Sequence, residues 1–118
     1  MAAPNLKSPT TIIGKTARYA VGSGLATAIS GVPSGSVYKI NSIFCANVDG
    51  TSAADISVSI YDGSTDFYLA KTIAVPADAT QIISTKETYF YLEEGDSIRA
   101  TGSHVSRLEL VIGYEDIS

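Results

Sequence analysis

In 118 residues the chain has no tryptophan, one cysteine, one histidine and one methionine. A single cysteine, Cys45, excludes an internal disulfide and any metal site built on several thiolates. Charge is scarce too: Asp, Glu, Lys and Arg make up 17%, against roughly 25% in an ordinary soluble domain. The eight Lys and Arg stand singly and the formal net charge is −4, so no basic cluster exists to neutralise a phosphate backbone. A nucleic-acid partner is therefore not expected. No apolar stretch approaches the roughly 20 residues that span a bilayer as a helix, so no membrane role is expected either. The opening Met1-Ala-Ala-Pro-Asn-Leu-Lys7 lacks the basic stretch and apolar run of a signal peptide. Synthesis in a cytoplasm is expected, with exit only as part of something larger. Gly22-Ser-Gly24 lacks the third glycine and the strand–helix setting of a phosphate-binding loop.

What the chain does have is apolar content, 45%, arranged with a period of two. Ile56, Val58 and Ile60 alternate with Ser57, Ser59 and Tyr61, the pattern of a half-buried strand. Leu108, Leu110, Ile112 and Tyr114 alternate with Glu109, Val111, Gly113 and Glu115; Ile98 and Ala100 alternate with polar neighbours. Across Val37–Val48 the face Tyr38, Ile40, Phe44, Ala46, Val48 opposes Lys39, Asn41, Ile43, Cys45, Asn47. Further strands are predicted near 11–21, 67–75, 80–84 and 88–92, while 22–30 reads as a loop, a helical turn or a short strand. Turn signals separate these runs at Asp49-Gly50, Asp62-Gly63, Pro76-Ala-Asp78 and Glu93-Glu-Gly-Asp96. About eight short strands with a turn every 8–12 residues predict an all-β fold, an antiparallel β-sandwich of jelly-roll-like form. The expected core is Ile40, Phe44, Ile56, Val58, Ile60, Ile73, Ile98, Leu108, Leu110 and Ile112. Mass scaling has such a domain bury about two-thirds of its unfolded surface, enough for a core without staples.

Residues 1–10 are expected to form a flexible N-terminal arm and 11–118 a single sandwich domain. The arm carries Pro4 and Pro9, which limit regular structure, and only Met1 and Leu6 as large apolar side chains. The small, polar character of the first 35 or so residues suits a segment that lies over a neighbour or forms an edge strand.

Candidates for chemistry are few. His104, in Thr101-Gly-Ser-His-Val-Ser106, reads as an exposed turn residue with neither a nucleophile nor an orienting acid beside it. Cys45 has no adjacent base and reads as packing rather than as a nucleophile. Asp62 and Asp66 lie four apart in a Gly-containing loop, but the alternating acids and distal Glu of a calcium loop are missing. Glu93, Glu94 and Asp96 crowd one turn and read as solvated. No cofactor, metal or catalytic residue is therefore expected, and the chain is not read as an enzyme. The seven tyrosines, Tyr19, Tyr38, Tyr61, Tyr68, Tyr89, Tyr91 and Tyr114, outnumber all other aromatics. Tyr suits half-wet interfaces, although strand composition alone also favours aromatics. Aromatic platforms also serve sugar recognition, which the lack of Trp disfavours. Pro4, Asn5, Leu6, Tyr89 and Tyr91 are the candidate interface residues.

The runs Val37–Thr51 and Ala54–Tyr61, with Val75–Thr80, Tyr91–Arg99 and the close Leu110–Ser118, resemble small virion structural proteins of tailed bacteriophages, the marine and cyanobacterial ones especially. The opening Met-Ala-Ala-Pro-Asn-Leu is similar as well. Leu92-Glu-Glu-Gly-Asp-Ser-Ile98 also resembles a corner common in jelly-roll modules, where Leu closes one strand and an apolar residue resumes the core. The phage resemblance implies a capsid decoration (cement) protein that binds the outer head surface and clamps neighbouring capsomers. Its partners would be the major capsid protein or other virion proteins. It would be a homo-oligomer, a trimer in preference. Two alternatives remain: a neck, tail or baseplate part with the same fold, and a glycan-binding adhesion module.

Overall fold

The computed structural model describes residues 4–118; the first three residues of the expected arm lie outside the described residues. Nine strands follow one another: β1 (Ile12–Ala20), β2 (Ala26–Ile29), β3 (Val37–Asn47), β4 (Ala54–Tyr61), β5 (Asp66–Val75), β6 (Thr80–Ser84), β7 (Phe90–Leu92), β8 (Ser97–Gly102) and β9 (Leu108–Ile117). A 3-10 turn at Lys86–Thr88 separates β6 from β7. No helix among the described residues is long and apolar enough to cross a membrane.

The strands pair antiparallel in two sheets. The larger runs β1-β9-β3, with β6 and β7 sharing the far side of β3; the smaller runs β2-β8-β4-β5. Consecutive strands change sheet at every step except β4–β5 and β6–β7, so most pairs join distant parts of the chain. This is the antiparallel β-sandwich that the turn spacing predicts. Asp49-Gly50 accordingly closes no hairpin, because β3 and β4 lie in different sheets. Asp62-Gly63 does close one, between β4 and β5, with Gly63 at φ 101°. At the corner between β7 and β8, Leu92 and Ile98 are both fully buried and Gly95 takes φ 86°, a conformation that needs no Cβ.

Between the sheets pack Ile40, Ile43, Cys45, Leu108, Leu110 and Ile112 from one side and Ile56, Val58, Ile98 and Ala100 from the other. Total accessible surface is 6255 Å², close to the roughly 6,100 Å² that mass scaling predicts for a folded monomer. One polar side chain enters the core fully matched. Asn47 donates to the carbonyls of Ser52 and Val75 at 3.0 and 2.9 Å and accepts the Asp49 N–H at 2.9 Å, which pins the β3–β4 connection.

Two expected core residues are not in the core. In β3, Ile40 stands opposite Tyr114 and Ser42 opposite Gly113, so Asn41 is an inserted bulge residue. A one-residue insertion exchanges the two faces of the strand beyond it. Ile43 and Cys45 therefore turn inward and Phe44 outward, reversing the alternation expected there; Phe44 is 38% exposed. Ile73 stands opposite Ile56, but β5 is an edge strand, and Ile73 is open to solvent from the side that has no neighbour. Ile60 is half-buried.

Candidate functional site

The bulge at Asn41 creates the most distinctive surface of the molecule. Residues directly opposite one another in antiparallel strands share a face, so pairing fixes what the outer side of the larger sheet displays. Arg18 stands opposite Val111, Val111 opposite Phe44, and Phe44 opposite Ile82. Val111, Phe44 and Ile82 thus form an unbroken apolar row across β9, β3 and β6, and they are 41%, 38% and 52% exposed. The row beside it, Ala20–Glu109–Ala46–Thr80, is small apart from Glu109. On the other side lies Thr16–Gly113–Ser42, where a Cβ on Gly113 would come within 3.0 Å of the Ser42 hydroxyl. A shallow hollow between β1 and β9 is lined by Arg18, Ala20, Glu109 and Val111.

One further row along, Lys39 stands opposite both Glu115 and Tyr91. The Lys39 ammonium lies 4.4 Å from the Tyr89 ring centroid, and the Tyr89 and Tyr91 rings meet edge to face at 5.9 Å. Asn41 donates to Glu115 at 3.2 Å, while its own amide oxygen is buried without a partner. The two candidate tyrosines therefore share a face with the Phe44 row. Pro4, Asn5 and Leu6 do not join them. They form a turn ahead of β1, with the Ser8 N–H bonded to the Asn5 carbonyl at 3.0 Å, at the opposite edge of the same sheet. The Phe44, Val111 and Ile82 row was not singled out from the sequence, since strict alternation over Val37–Val48 buries Phe44.

The outer side of the smaller sheet is of another kind. Arg99 grips Asp66 with two hydrogen bonds, Nε to Oδ1 at 3.0 Å and Nη2 to Oδ2, and lies 3.9 Å from the Tyr61 ring. Ser59 donates to the same carboxylate at 2.8 Å and is fully covered by this cluster. The Arg99 hydrogen bond is the chief reason the Asp66 carboxyl is held below its ordinary range. Asp62 accepts the N–H groups of Thr65 and Ser64 at 2.8 and 2.9 Å, which lowers its pKa in turn. The two acids thus serve a turn and an ion pair, and do not converge. Of the acids at the β7–β8 corner, Glu94 accepts the Gly35 N–H at 2.8 Å and Asp96 accepts the Glu93 N–H at 3.0 Å, so the corner is tied and not merely solvated. Among the described residues no group of three or more His, Cys, Asp or Glu is placed to hold a metal ion.

His104 lies on the β8–β9 loop with Nδ1 3.0 Å from the Ser103 hydroxyl. That hydroxyl also accepts the backbone N–H of Asp55 at 2.8 Å, and among the described residues no carboxylate hydrogen-bonds the imidazole, the contact that orients the histidine of a triad. Cys45 is fully buried and burial pushes its thiol up to about 11, so it is neutral at physiological pH.

No family model matches the sequence, and no curated protein matches it. Among solved structures, a chain of the acidic stable capsid of Helicobacter pylori bacteriophage KHP30 superposes with a TM-score of 0.57 at 14% identity, over 94% of this chain and 90% of that one. A chain of the Bacillus endospore appendages, a family of disulfide-linked pili, superposes with a TM-score of 0.55 at 15% identity, over 92% and 88%. At these identities the likeness is one of fold.

Proposed function

We propose that this chain is a structural subunit of a bacteriophage virion, a decoration protein that seats the outer face of its larger sheet on the head shell. The observation that carries the reading is the exposed row Val111–Phe44–Ile82, which shares the outer face of the larger sheet with Tyr89 and Tyr91. An apolar centre with a polar, Tyr-bearing rim is the composition of a protein–protein contact. That a phage capsid chain has this architecture makes the fold suited to shell work. The pilus reading is disfavoured by the chain itself, whose one cysteine is buried and not placed for a disulfide between subunits.

The partner is the major capsid protein, with copies grouped as trimers at three-fold positions, where symmetry multiplies a modest contact. A neck, tail or baseplate position would use the same surface in a small ring. A map of the particle tests the proposal: density for this chain over the whole head, with Phe44 facing the shell, is expected. A single ring below the head would reassign it to the neck or tail. Absence from purified particles would end the virion reading.

A further inference from the structure

We propose that two copies of this chain join β1 to β1, antiparallel, with Thr16 on the two-fold axis, to make one continuous sheet. The inference goes beyond the virion reading and does not depend on it.

A sheet edge presents unpaired N–H and C=O groups, and folds blunt such edges where pairing is unwanted. Three of the four edges here are blunted. The β2 edge is four residues long with a register shift. The β5 edge slips register twice, and Thr72 there takes φ 53°. The edge beyond β3 is split into β6 and β7 by a 3-10 turn. β1 alone is long and regular: nine residues, all in unbroken register with β9, most of them exposed. Ile12 and Ile13 are 58% and 51% exposed on it. Among the described residues its open side has no strand partner.

The hydrogen-bond parity of β1 then selects the register. Thr11 and Ser118 exchange both backbone bonds at 3.0 Å, and the Val21 N–H reaches the Leu108 carbonyl at 2.9 Å, so odd-numbered residues bond to β9. Ile12, Gly14, Thr16, Arg18 and Ala20 therefore direct their N–H and C=O groups to the open edge. Two such edges can meet only with even residues opposite even ones. Centring on Thr16 pairs Ile12 with Ala20 and Gly14 with Arg18, overlaps all nine residues, and forms up to about ten hydrogen bonds. Between them, Ile13 meets Tyr19 and Lys15 meets Ala17. No like charges face each other, and each Lys15 is already bound to Asp116 at 2.9 Å. The joined sheet runs β3-β9-β1-β1-β9-β3 through its centre and carries two Phe44 rows on one face. A two-fold link of this kind would tie neighbouring trimers together and does not replace a three-fold contact.

Directed disulfides test it. Hydrogen-bonded pairs hold their Cα atoms about 5.5 Å apart, within the disulfide range. Under mild oxidation Thr16→Cys should shift the chain to a covalent dimer. Gly14→Cys and Arg18→Cys should each remain uncrosslinked alone yet form a mixed dimer when combined; a Cβ at Gly14 meets nothing within 4 Å. Cys45, being buried, contributes no background. Thr16→Pro removes an N–H that β9 does not use, so it should abolish the wild-type dimer seen by native mass spectrometry while leaving the melting temperature almost unchanged. Monomer at all concentrations overturns the proposal. So does crosslinking of the exposed loop variant Val105→Cys as fast as Thr16→Cys, or a Thr16→Pro dimer as stable as wild type. Loss of association on deleting residues 4–9, without Thr16→Cys crosslinking, would give the edge to the arm and overturn it equally.

Discussion

Leu110 and Val111 are neighbours in β9 with opposite surroundings: Leu110 is fully buried opposite Cys45, while Val111 is 41% exposed opposite Phe44. Leu110→Ala should cost about 2–5 kcal/mol, from lost burial plus the cavity left between two sheets that cannot collapse onto it. Val111→Ala should stay within about 0.5 kcal/mol, as exposed substitutions do. Urea melts of the two variants check both values, and a cost below about 1 kcal/mol for Leu110→Ala would contradict the observed register. Asp66 makes a second prediction at this scale. Its carboxyl is held below the ordinary range, first by the Arg99 hydrogen bond, so the folded state favours the ionised acid. Its contribution to stability is then complete above the unfolded pKa of about 3.9 and drains away as pH falls through the lower folded value. Asp66→Asn has no such proton to gain. The drop in melting temperature between pH 7 and pH 3 should be smaller in that variant than in the wild type, by the same measurement on both.

β5 and β3 are each reshaped by inserted residues. In β5 the insertion leaves Thr72 at φ 53°, where its N–H is captured by the Ser57 hydroxyl at 2.9 Å while its side chain stands exposed. A left-handed conformation costs an L-residue roughly 1–2 kcal/mol, and a β-branched one is poorly suited to it. Thr72→Gly should relieve that cost, offset in part by the entropy of the unfolded glycine, for a net gain of up to about 1 kcal/mol in denaturant unfolding. Bulges also explain what could and could not be read from the sequence. Strand positions were legible because alternation is local: the predicted 80–84 strand is β6, and the ambiguous 22–30 segment holds β2 as a short strand. The inversion at Asn41 was not legible. Nothing about an Asn between Ile40 and Ser42 announces an insertion, which depends on the partner register along Tyr114 and Gly113. Reading the alternation straight through Asn41 placed Phe44 inside, and with it hid the centre of the candidate site. Tyr91 on β7 and Tyr89 just ahead of it stand out by composition wherever the strand packs, and their place in an interface is a proposal.

At the scale of the whole molecule the two outer faces divide the work. The outer side of the smaller sheet carries the Arg99–Asp66–Ser59 cluster beside the exposed Tyr68, and the larger sheet leaves Val111, Phe44 and Ile82 uncovered. If that face is the anchor, its loss should separate attachment from folding: Phe44→Asp, at an exposed position, should keep a near-native melting temperature and fail to bind particles stripped of this protein. The N-terminal arm is proposed as a second, independent contact. Thr10 and Thr11 both donate their N–H groups to the Ser118 carbonyl, at 2.7 and 3.0 Å, so the chain is tied to the end of β9 from residue 10 onward. Deleting residues 2–9 should therefore leave the melting temperature of the free protein nearly unchanged while weakening its attachment, as expected of a segment that gains partners only on the particle. Rebinding to stripped particles distinguishes the two contacts. Full occupancy by the truncated chain at wild-type concentration would remove the arm from the interface and leave the Phe44 face as the anchor, whereas full occupancy by Phe44→Asp would remove the face and leave the arm.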